Sequence, residues 1–134
     1  METLYNVDAS YYGAKIRSYL QYKSIPFTEV LGDRGVFSAK ILPKVGWPVI
    51  PVIQTELGET LQDTSDMIDH YELVCAEKSV LPQAASGRAL SYWLELIGDE
   101  WLKLPALHYR WRYNCDFAVR EMGRNNDPSA TADE

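Results

Sequence analysis

The chain is poor in cysteine and in positive charge, and it contains no long apolar run. The spacing of its two cysteines, Cys75 and Cys115, fits neither a redox pair nor a zinc knuckle, which favours two reduced thiols in the cytoplasm. Thirteen Lys and Arg residues against nineteen Asp and Glu residues give a formal net charge of −6. This deficit argues against nucleic acid or an anionic membrane as the main partner. No segment approaches the roughly 18 consecutive apolar residues of a membrane span.

The fractions of hydrophobic and charged residues are typical of a folded domain. Hydrophobic residues make up 46% of the 134 residues and charged residues 24%, a balance that excludes intrinsic disorder. Glu2 and Asp8 interrupt the start of the chain, where no basic segment precedes an apolar run, so we expect no signal peptide. Neither histidine has a Cys, His or carboxylate partner at metal-ligand spacing, so the sequence predicts no metal site.

The first part of the chain has the pattern of a strand, a helix and a second strand. An apolar run over residues 4–7 predicts the first strand. From Tyr12 onward apolar residues recur at intervals of three and four, which predicts an amphipathic helix that ends before Pro26. Residues 27–31 form the second predicted strand, and residues 36–45 fit one irregular helix.

A proline lies inside the next apolar segment. Residues 49–53 are apolar on both faces, as in a buried central strand, yet Pro51 cannot donate a hydrogen bond to a neighbouring strand. A cis Ile50–Pro51 bond that turns the chain before the strand removes this conflict. Residues 56–59 then predict a hairpin turn to a short partner strand over residues 60–62.

A helix start follows this hairpin. Residues 63–66 have the composition of a helix N-terminus, with Asp63 or Thr64 as the cap. The apolar stripe expected to face inward is formed by Met67, Ile68, Tyr71, Val74 and Cys75. Residues 78–86 show little periodicity and predict a linker.

Only helices are predicted after the linker. Apolar residues recur every three or four positions over residues 90–104, and Pro105 is expected to end or kink this helix. Asn114 is expected to cap a last helix that Gly123 closes. Residues 124–134 are polar, and we expect them to form a flexible tail. The order β-α-β, α, β-β-α and then helices predicts an α/β fold with a mixed four-stranded sheet and a short all-α extension.

Three segments of the chain resemble motifs of one protein family. Residues 10–17 (SYYGAKIR) resemble the serine/cysteine-type start of the glutathione transferase superfamily. Residues 49–53 (VIPVI) are similar to the cis-proline strand of that family, and residues 61–72 (LQDTSDMIDHYE) resemble its acidic-hydroxyl helix start. The three motifs occur in the family's order and spacing over residues 4–77.

The resemblance implies a domain organisation. Residues 1–77 are expected to form a thioredoxin-like glutathione-binding domain, and residues 78–86 a linker. Residues 87–123 are expected to form part of the family's helical second domain, followed by the tail at residues 124–134. Members of the family continue through further helices that supply most of the electrophile pocket and half of the dimer contact. We therefore expect the exposed apolar helices to fold back on the first domain or to pair in a homodimer.

The resemblance also implies roles for individual residues. The hydroxyl of Ser10 is expected to donate a hydrogen bond to the glutathione sulfur and to favour its thiolate. Ile50 and Pro51 are expected to meet the cysteinyl part of the tripeptide through the backbone. Asp63 and Thr64 are expected to hold its γ-glutamyl end.

Some positions of the predicted site remain open. Ser65 takes the role of Thr64 if the match to the family's helix-start motif is shifted by one residue. Tyr11 or Tyr12 can take the place of Ser10 as the hydroxyl donor to sulfur. Tyr11 stands where the family usually has proline. Val49 occupies one common location of the basic residue that binds the glycine carboxylate of glutathione, and Lys40 and Lys44 are the basic residues nearby, so this contact stays unassigned.

The proposed role of Ser10 is consistent with thiol chemistry. A free thiol titrates near ~8.5, so only a few per cent is thiolate at neutral pH. Lowering its pKa by ~2 units requires ~2.7 kcal/mol of differential stabilisation. One charge-assisted hydrogen bond together with a helix N-terminus can supply this amount, and Ser10 stands where a strand leads into a helix.

The predicted function is a glutathione transferase-like protein that binds glutathione and adds its thiolate to a small electrophile. The alternative is a non-catalytic, shortened binding or oligomerisation module. In that interpretation Ser10 and the pair Asp63 and Thr64 serve only as helix caps. A disulfide oxidoreductase is disfavoured, because Ser10 stands where a reactive cysteine is needed.

Overall fold

The fold is built around a mixed four-stranded sheet. A computed structural model describes residues 1–126 of the chain, with side chains for residues 1–123. Strands β1 (Glu2–Asn6), β2 (Phe27–Leu31), β3 (Val52–Gln54) and β4 (Thr60–Gln62) lie in the order β2-β1-β3-β4. β1 pairs with β2 in parallel, whereas the β1–β3 and β3–β4 pairs are antiparallel. This arrangement confirms the predicted sheet.

Helices cover both faces of the sheet. On one face, α1 (Tyr11–Lys23) and α4 (Thr64–Val74) bury an apolar cluster against β1 and β3. Its buried members are Leu4, Ile16, Tyr19, Leu20, Ile53, Met67 and Tyr71. The opposite face buries Ile41 against Tyr5 and Val52. The two buried faces explain why β3 is apolar on both sides.

The segment between β2 and β3 is one irregular helical run, as predicted. It consists of α2 (Arg34–Val36), a π-helical segment π1 (Phe37–Ile41) and α3 (Leu42–Val45). The Ile50–Pro51 peptide bond that follows is cis. β3 begins at Val52 and is therefore shorter than the apolar run 49–53, because proline cannot join the ladder.

One residue of the predicted inward stripe of α4 faces outward. Met67 and Tyr71 are buried as expected, but Val74 is exposed, so its prediction was wrong. The end of α4 contacts α1 through polar groups instead. The ammonium group of Lys23 donates hydrogen bonds to Glu72 and to the backbone carbonyl of Cys75.

The remaining described residues form a helical extension. It comprises α5 (Ala85–Leu96), a second π-helical segment π2 (Ile97–Trp101), α6 (Lys103–Tyr113) and α7 (Cys115–Asn126). The interruption lies at π2 and not at Pro105, which was expected to end or kink the helix. Pro105 is the third residue of α6, where a missing N–H breaks no helical hydrogen bond.

The predicted end of the last helix was also wrong. The backbone carbonyl of Asn114 accepts the N–H of Ala118 at 2.9 Å, which agrees with the predicted start of α7. Gly123 does not end this helix, because it lacks the left-handed conformation that a closing glycine adopts. Residues 124–126 of the predicted tail belong to α7, and residues 127–134 lie outside the described part. Within residues 1–126 every helix is too short or too polar to span a bilayer.

Candidate functional site

A cavity of about 640 Å³ lies between the cis-proline bend, the start of α4 and the helical extension. Six of the predicted site residues line it: Tyr12, Ile50, Pro51, Asp63, Thr64 and Ser65. The indole of Trp47, on the loop before the bend, also lines the cavity and donates a hydrogen bond to Gln62 at 3.1 Å. The opposite wall is supplied by Tyr92, Glu95 and Leu96 of α5 and by Asp99 and Glu100 of π2.

The start of α4 is a strongly defined helix cap. Asp63 has a φ of 67°, and its carboxylate accepts the N–H of Ser65 at 2.8 Å. Thr64 follows and is buried. Of the two capping candidates, the side chain of Asp63 is therefore the one that caps the helix. This geometry places the side chains of Thr64 and Ser65 at the cavity.

An ion-paired cluster holds the extension against α1. The ammonium group of Lys15 lies 2.7 Å from a carboxylate oxygen of Glu95 and 2.6 Å from one of Asp99. Burial alone lowers the pKa of Lys15, but the hydrogen bonds to Asp99 and Glu95 outweigh it and raise this pKa overall. The same oxygen of Glu95 accepts the hydroxyl of Ser65 at 2.9 Å.

Sequence reasoning missed Glu95 and Asp99. The available signal was their spacing of four residues, which puts two carboxylates on one side of a helix. That spacing is also common on solvent-exposed faces. Only the approach of the extension to α1 identifies Lys15 as their partner.

Three other predicted site residues do not line this cavity. Ser10 caps α1, since its hydroxyl oxygen accepts the N–H of Gly13 at 2.9 Å. The hydroxyl of Tyr11 donates to the carbonyl of Gly98 at 2.9 Å. Lys44 is exposed in the last turn of α3. The cavity lining includes none of the three.

Tyr12 does line the cavity, and its hydroxyl is already bound. It donates a hydrogen bond to the backbone carbonyl of Asp99 at 2.9 Å. The two neighbouring tyrosines thus both hold π2 through its carbonyl groups. Their rings meet edge to face, with centroids 5.6 Å apart.

The described lining of the cavity is acidic. Its carboxylate side chains are Asp63, Asp69, Glu95, Asp99 and Glu100. No Lys, Arg or His belongs to the lining within the described part of the chain. The cavity can therefore attract ammonium groups through charge, whereas an anion must rely on N–H and O–H donors.

The sheet, the cis-proline bend and the capped helix beside a cavity together define a thioredoxin-like fold followed by helices. The family model of the glutathione S-transferase N-terminal domain matches residues 4–74, which is more than half of the chain. The protein belongs to the glutathione S-transferase family. A search of curated protein sequences found no significant match.

Solved structures of this family share the fold. A glutathione S-transferase from Rhodospirillum rubrum F11 is 25% identical, with a TM-score of 0.69 over 75% of this chain and 45% of that one. A glutathione S-transferase from Methylobacterium radiotolerans, complexed with glutathione sulfonate, is 21% identical, with a TM-score of 0.69 over 95% and 57%. A zeta-class bacterial enzyme, maleyl pyruvate isomerase, is 19% identical, with a TM-score of 0.66 over 88% and 59%. The chain spans about half the length of these proteins.

Proposed function

We propose that the cavity binds glutathione and that residues 1–77 are the glutathione-binding domain. The observation that supports this most is the meeting of Ile50, Pro51 and the start of α4 at one cavity. We further propose residues 78–86 as the linker and residues 87–123 as part of the helical second domain.

The cysteinyl and γ-glutamyl parts of the tripeptide have matching groups in this proposal. The backbone of Ile50 offers a donor and an acceptor to the cysteinyl part. The hydroxyl groups of Thr64 and Ser65 and the amides at the start of α4 are donors for the γ-glutamyl carboxylate. The carboxylate of Asp63 faces the γ-glutamyl ammonium group.

The catalytic form of the proposal assigns the sulfur contact to Ser10. Its hydroxyl oxygen accepts the N–H of Gly13, which leaves the hydroxyl proton free to be donated to a thiolate. The glutathione thiol loses its proton to solvent, and the thiolate sulfur then forms a bond to an electrophilic carbon of a small molecule. The bond from that carbon to a leaving group breaks, and the leaving group departs into solvent as an anion with the bonding electrons. The N-terminus of α1 adds a favourable field for the thiolate.

The first test is retention on immobilised glutathione, followed by conjugation assays with a chromogenic electrophile. Ser10→Asp keeps a capping oxygen for Gly13 but removes the hydroxyl donor, so it separates the capping role from the sulfur contact. We expect Ser10→Asp to keep its melting temperature and to lose conjugation by roughly 100-fold, in the range of one lost transition-state donor. Ser38→Ala, on an exposed turn of π1, is the matched control and is expected to change neither.

A second candidate function is a non-catalytic glutathione-binding module. It is favoured by the capping hydrogen bond of Ser10 and by the absence of Ser10 from the described cavity lining. Retention on glutathione without turnover selects this function. If the wild-type protein is not retained on immobilised glutathione, glutathione is not the ligand in either of the two candidate functions.

We also propose that the protein forms a homodimer through its helical extension and acts in the cytoplasm. The extension exposes large apolar side chains, including Leu90, Trp93, Leu94, Trp101 and Leu104. A set of this size favours association, because large aromatic side chains gain most from burial.

A further inference from the structure

A second cavity, of about 390 Å³, lies between the loop before α1 and the helices α6 and α7, and we call it the α6–α7 cavity. Its volume is in the range of small-molecule sites. Ala9 lines this cavity and directly precedes Ser10, whereas Tyr12 lines the cavity proposed for glutathione. The start of α1, where the thiolate is proposed to lie, therefore stands between the two cavities.

Arg110 is the one charged side chain in the lining of the α6–α7 cavity, within the described part of the chain. Its guanidinium group donates a hydrogen bond to the carbonyl of Ala9, which holds it beside the loop before α1. A guanidinium group has five N–H donors, so most of them stay available. Among the residues whose side chains are described, no carboxylate forms an ion pair with Arg110. The group can therefore bind an anion, and its planar fork of N–H donors matches a carboxylate.

The other walls of the α6–α7 cavity suit a flat apolar ligand. Tyr109 of α6 and Phe117 of α7 supply aromatic rings, and Ala106 and Ala118 are small side chains that leave room between the helices. Aromatic rings pack favourably against one another in stacked or edge-to-face arrangements. An aromatic ring that carries a carboxylate therefore matches both the walls and the cation of this cavity.

We propose that the α6–α7 cavity binds the electrophilic second substrate and that Arg110 binds a carboxylate group of this substrate. The role as electrophile site rests on the proposed function, whereas the binding of an aromatic carboxylate does not. The substrate class is an aromatic carboxylate with a leaving group on the ring. The thiolate sulfur of glutathione forms a bond to the ring carbon, and the bond from that carbon to the leaving group breaks. The leaving group departs into solvent as an anion with the bonding electrons.

Isothermal titration calorimetry without glutathione tests the binding part of this inference. The probes are 4-chloro-3-nitrobenzoate and 4-chloro-3-nitrobenzamide, which share the ring and the leaving group and differ in charge. We expect the wild-type protein to bind the carboxylate roughly tenfold more tightly, since one charge-assisted contact corresponds to about a factor of ten. We expect Arg110→Gln to lose this preference. Wild-type protein that binds the amide as tightly as the carboxylate, or binds neither probe, overturns the inference.

Arg112→Gln is the matched control for charge. Arg112 lies on the same helix and is exposed, and it is not among the described lining residues of the cavity. We expect Arg112→Gln to keep the preference for the carboxylate. An equal effect of the two arginine substitutions attributes the preference to general charge and overturns the role of Arg110.

Phe117→Ala locates the bound ring. We expect it to weaken both probes alike, by roughly fivefold, and to keep the preference for the carboxylate, because it removes an aromatic wall and no charge. Unchanged binding of both probes places them outside the α6–α7 cavity and overturns the inference. The wild-type comparison and Phe117→Ala decide the matter even if Arg110→Gln fails to fold, which its circular dichroism melting curve reveals.

Conjugation kinetics with the same two probes test the role as electrophile site. We expect kcat/KM, divided by the uncatalysed rate with glutathione, to favour the carboxylate roughly tenfold, and Arg110→Gln to lose this advantage through KM. Equal normalised values for the two probes overturn this role. Wild-type protein that is retained on glutathione but binds neither probe overturns the inference and leaves the proposed function intact. Wild-type protein that binds the carboxylate but is not retained on glutathione overturns the proposed function and the electrophile role, and leaves only the carboxylate site.

Discussion

At the scale of single residues, Gly13 of α1 lies directly against the buried side chain of Asn6. A methyl group at position 13 would stand 1.8 Å from the Oδ1 atom of Asn6, far inside van der Waals contact. Asn6 cannot turn away freely, because its amide nitrogen donates to Glu29 at 2.8 Å. The glycine is therefore required for the close approach of α1 to β1.

We predict that Gly13→Ala destabilises the protein by about 2 kcal/mol, because overpacking outweighs the gain in helix propensity. Urea denaturation measures this change. Gly98→Ala is the control, since its added methyl group would meet nothing within 4 Å. Wild-type stability of Gly13→Ala would show that Asn6 can move aside.

At the scale of elements, a buried ion pair ties α1 to α4 and to the segment that follows. The side chain of Lys23 is fully buried, and its ammonium group lies 3.0 Å from a carboxylate oxygen of Glu72. Tyr19 donates to the same oxygen at 2.7 Å, and Ser79 donates to the other. Burial raises the pKa of Glu72, but the hydrogen bonds from Ser79, Tyr19 and Lys23 outweigh it and lower this pKa to about 2.

This lowered pKa predicts a pH dependence of stability. A shift from 4.5 to about 2 corresponds to about 3 kcal/mol that is present above pH 4.5 and lost as the pH falls through 4.5 toward 2. We predict that Glu72→Gln costs about 3 kcal/mol at pH 7, because it leaves Lys23 buried without its counter-charge. Its free energy of unfolding should change less than that of the wild type between pH 5 and about pH 2. Denaturation across this range measures both effects.

The control for this prediction is Glu77→Gln, which changes an exposed carboxylate close by in the sequence. It should follow the wild-type pH profile. Parallel curves for wild type and Glu72→Gln below pH 5 would contradict the assignment of acid sensitivity to Glu72.

A second prediction at this scale concerns π2, which two tyrosines hold in place. Tyr11 and Tyr12 donate to the carbonyl groups of Gly98 and Asp99, each at 2.9 Å. We predict that Tyr11→Phe and Tyr12→Phe each destabilise the protein by about 1 kcal/mol and speed amide exchange in residues 97–101. Hydrogen exchange read by mass spectrometry measures this. Tyr22→Phe, an exposed tyrosine of the same helix, should leave this segment unchanged.

At the scale of the whole molecule, the helical extension leaves much of its apolar surface uncovered within the described residues. Trp93 and Trp101 are 67% and 69% exposed. The extension contacts the first part of the chain through polar groups such as Arg110, which donates a hydrogen bond to the carbonyl of Ala9. This pattern favours pairing of two copies over complete fold-back.

We predict that the protein is a dimer at micromolar concentration and that Trp93→Ser with Trp101→Ser shifts it to monomer. Size-exclusion chromatography with light scattering measures the mass. Tyr22→Ser removes an aromatic side chain that is 56% exposed on α1 and should leave the dimer intact. A wild-type monomer that binds no hydrophobic dye would contradict pairing and support fold-back.

Much of the α/β part was predictable because its signals are local. The apolar periods of β2 and α1, the turn before Thr60 and the cap at Asp63 each depend on residues close in sequence. The errors arose where contacts between distant parts of the chain determine which side chains are buried. Val74 follows the apolar period of α4 but is exposed, because the end of this helix is bound by Lys23 through polar contacts.

The order of residues along the chain was sufficient to determine the strands and helices of the α/β part, the pairing of its hairpin and the family to which the protein belongs. These depend on spacing over a few residues and on motifs read in order. The composition of the cavity was decided only by the fold. Glu95 lies 30 positions from Ser65 in sequence, and Lys15 lies 80 positions from Glu95 and 84 from Asp99, so no local pattern specifies these contacts. Their formation depends on how the helical extension packs against α1, which only the three-dimensional structure determines.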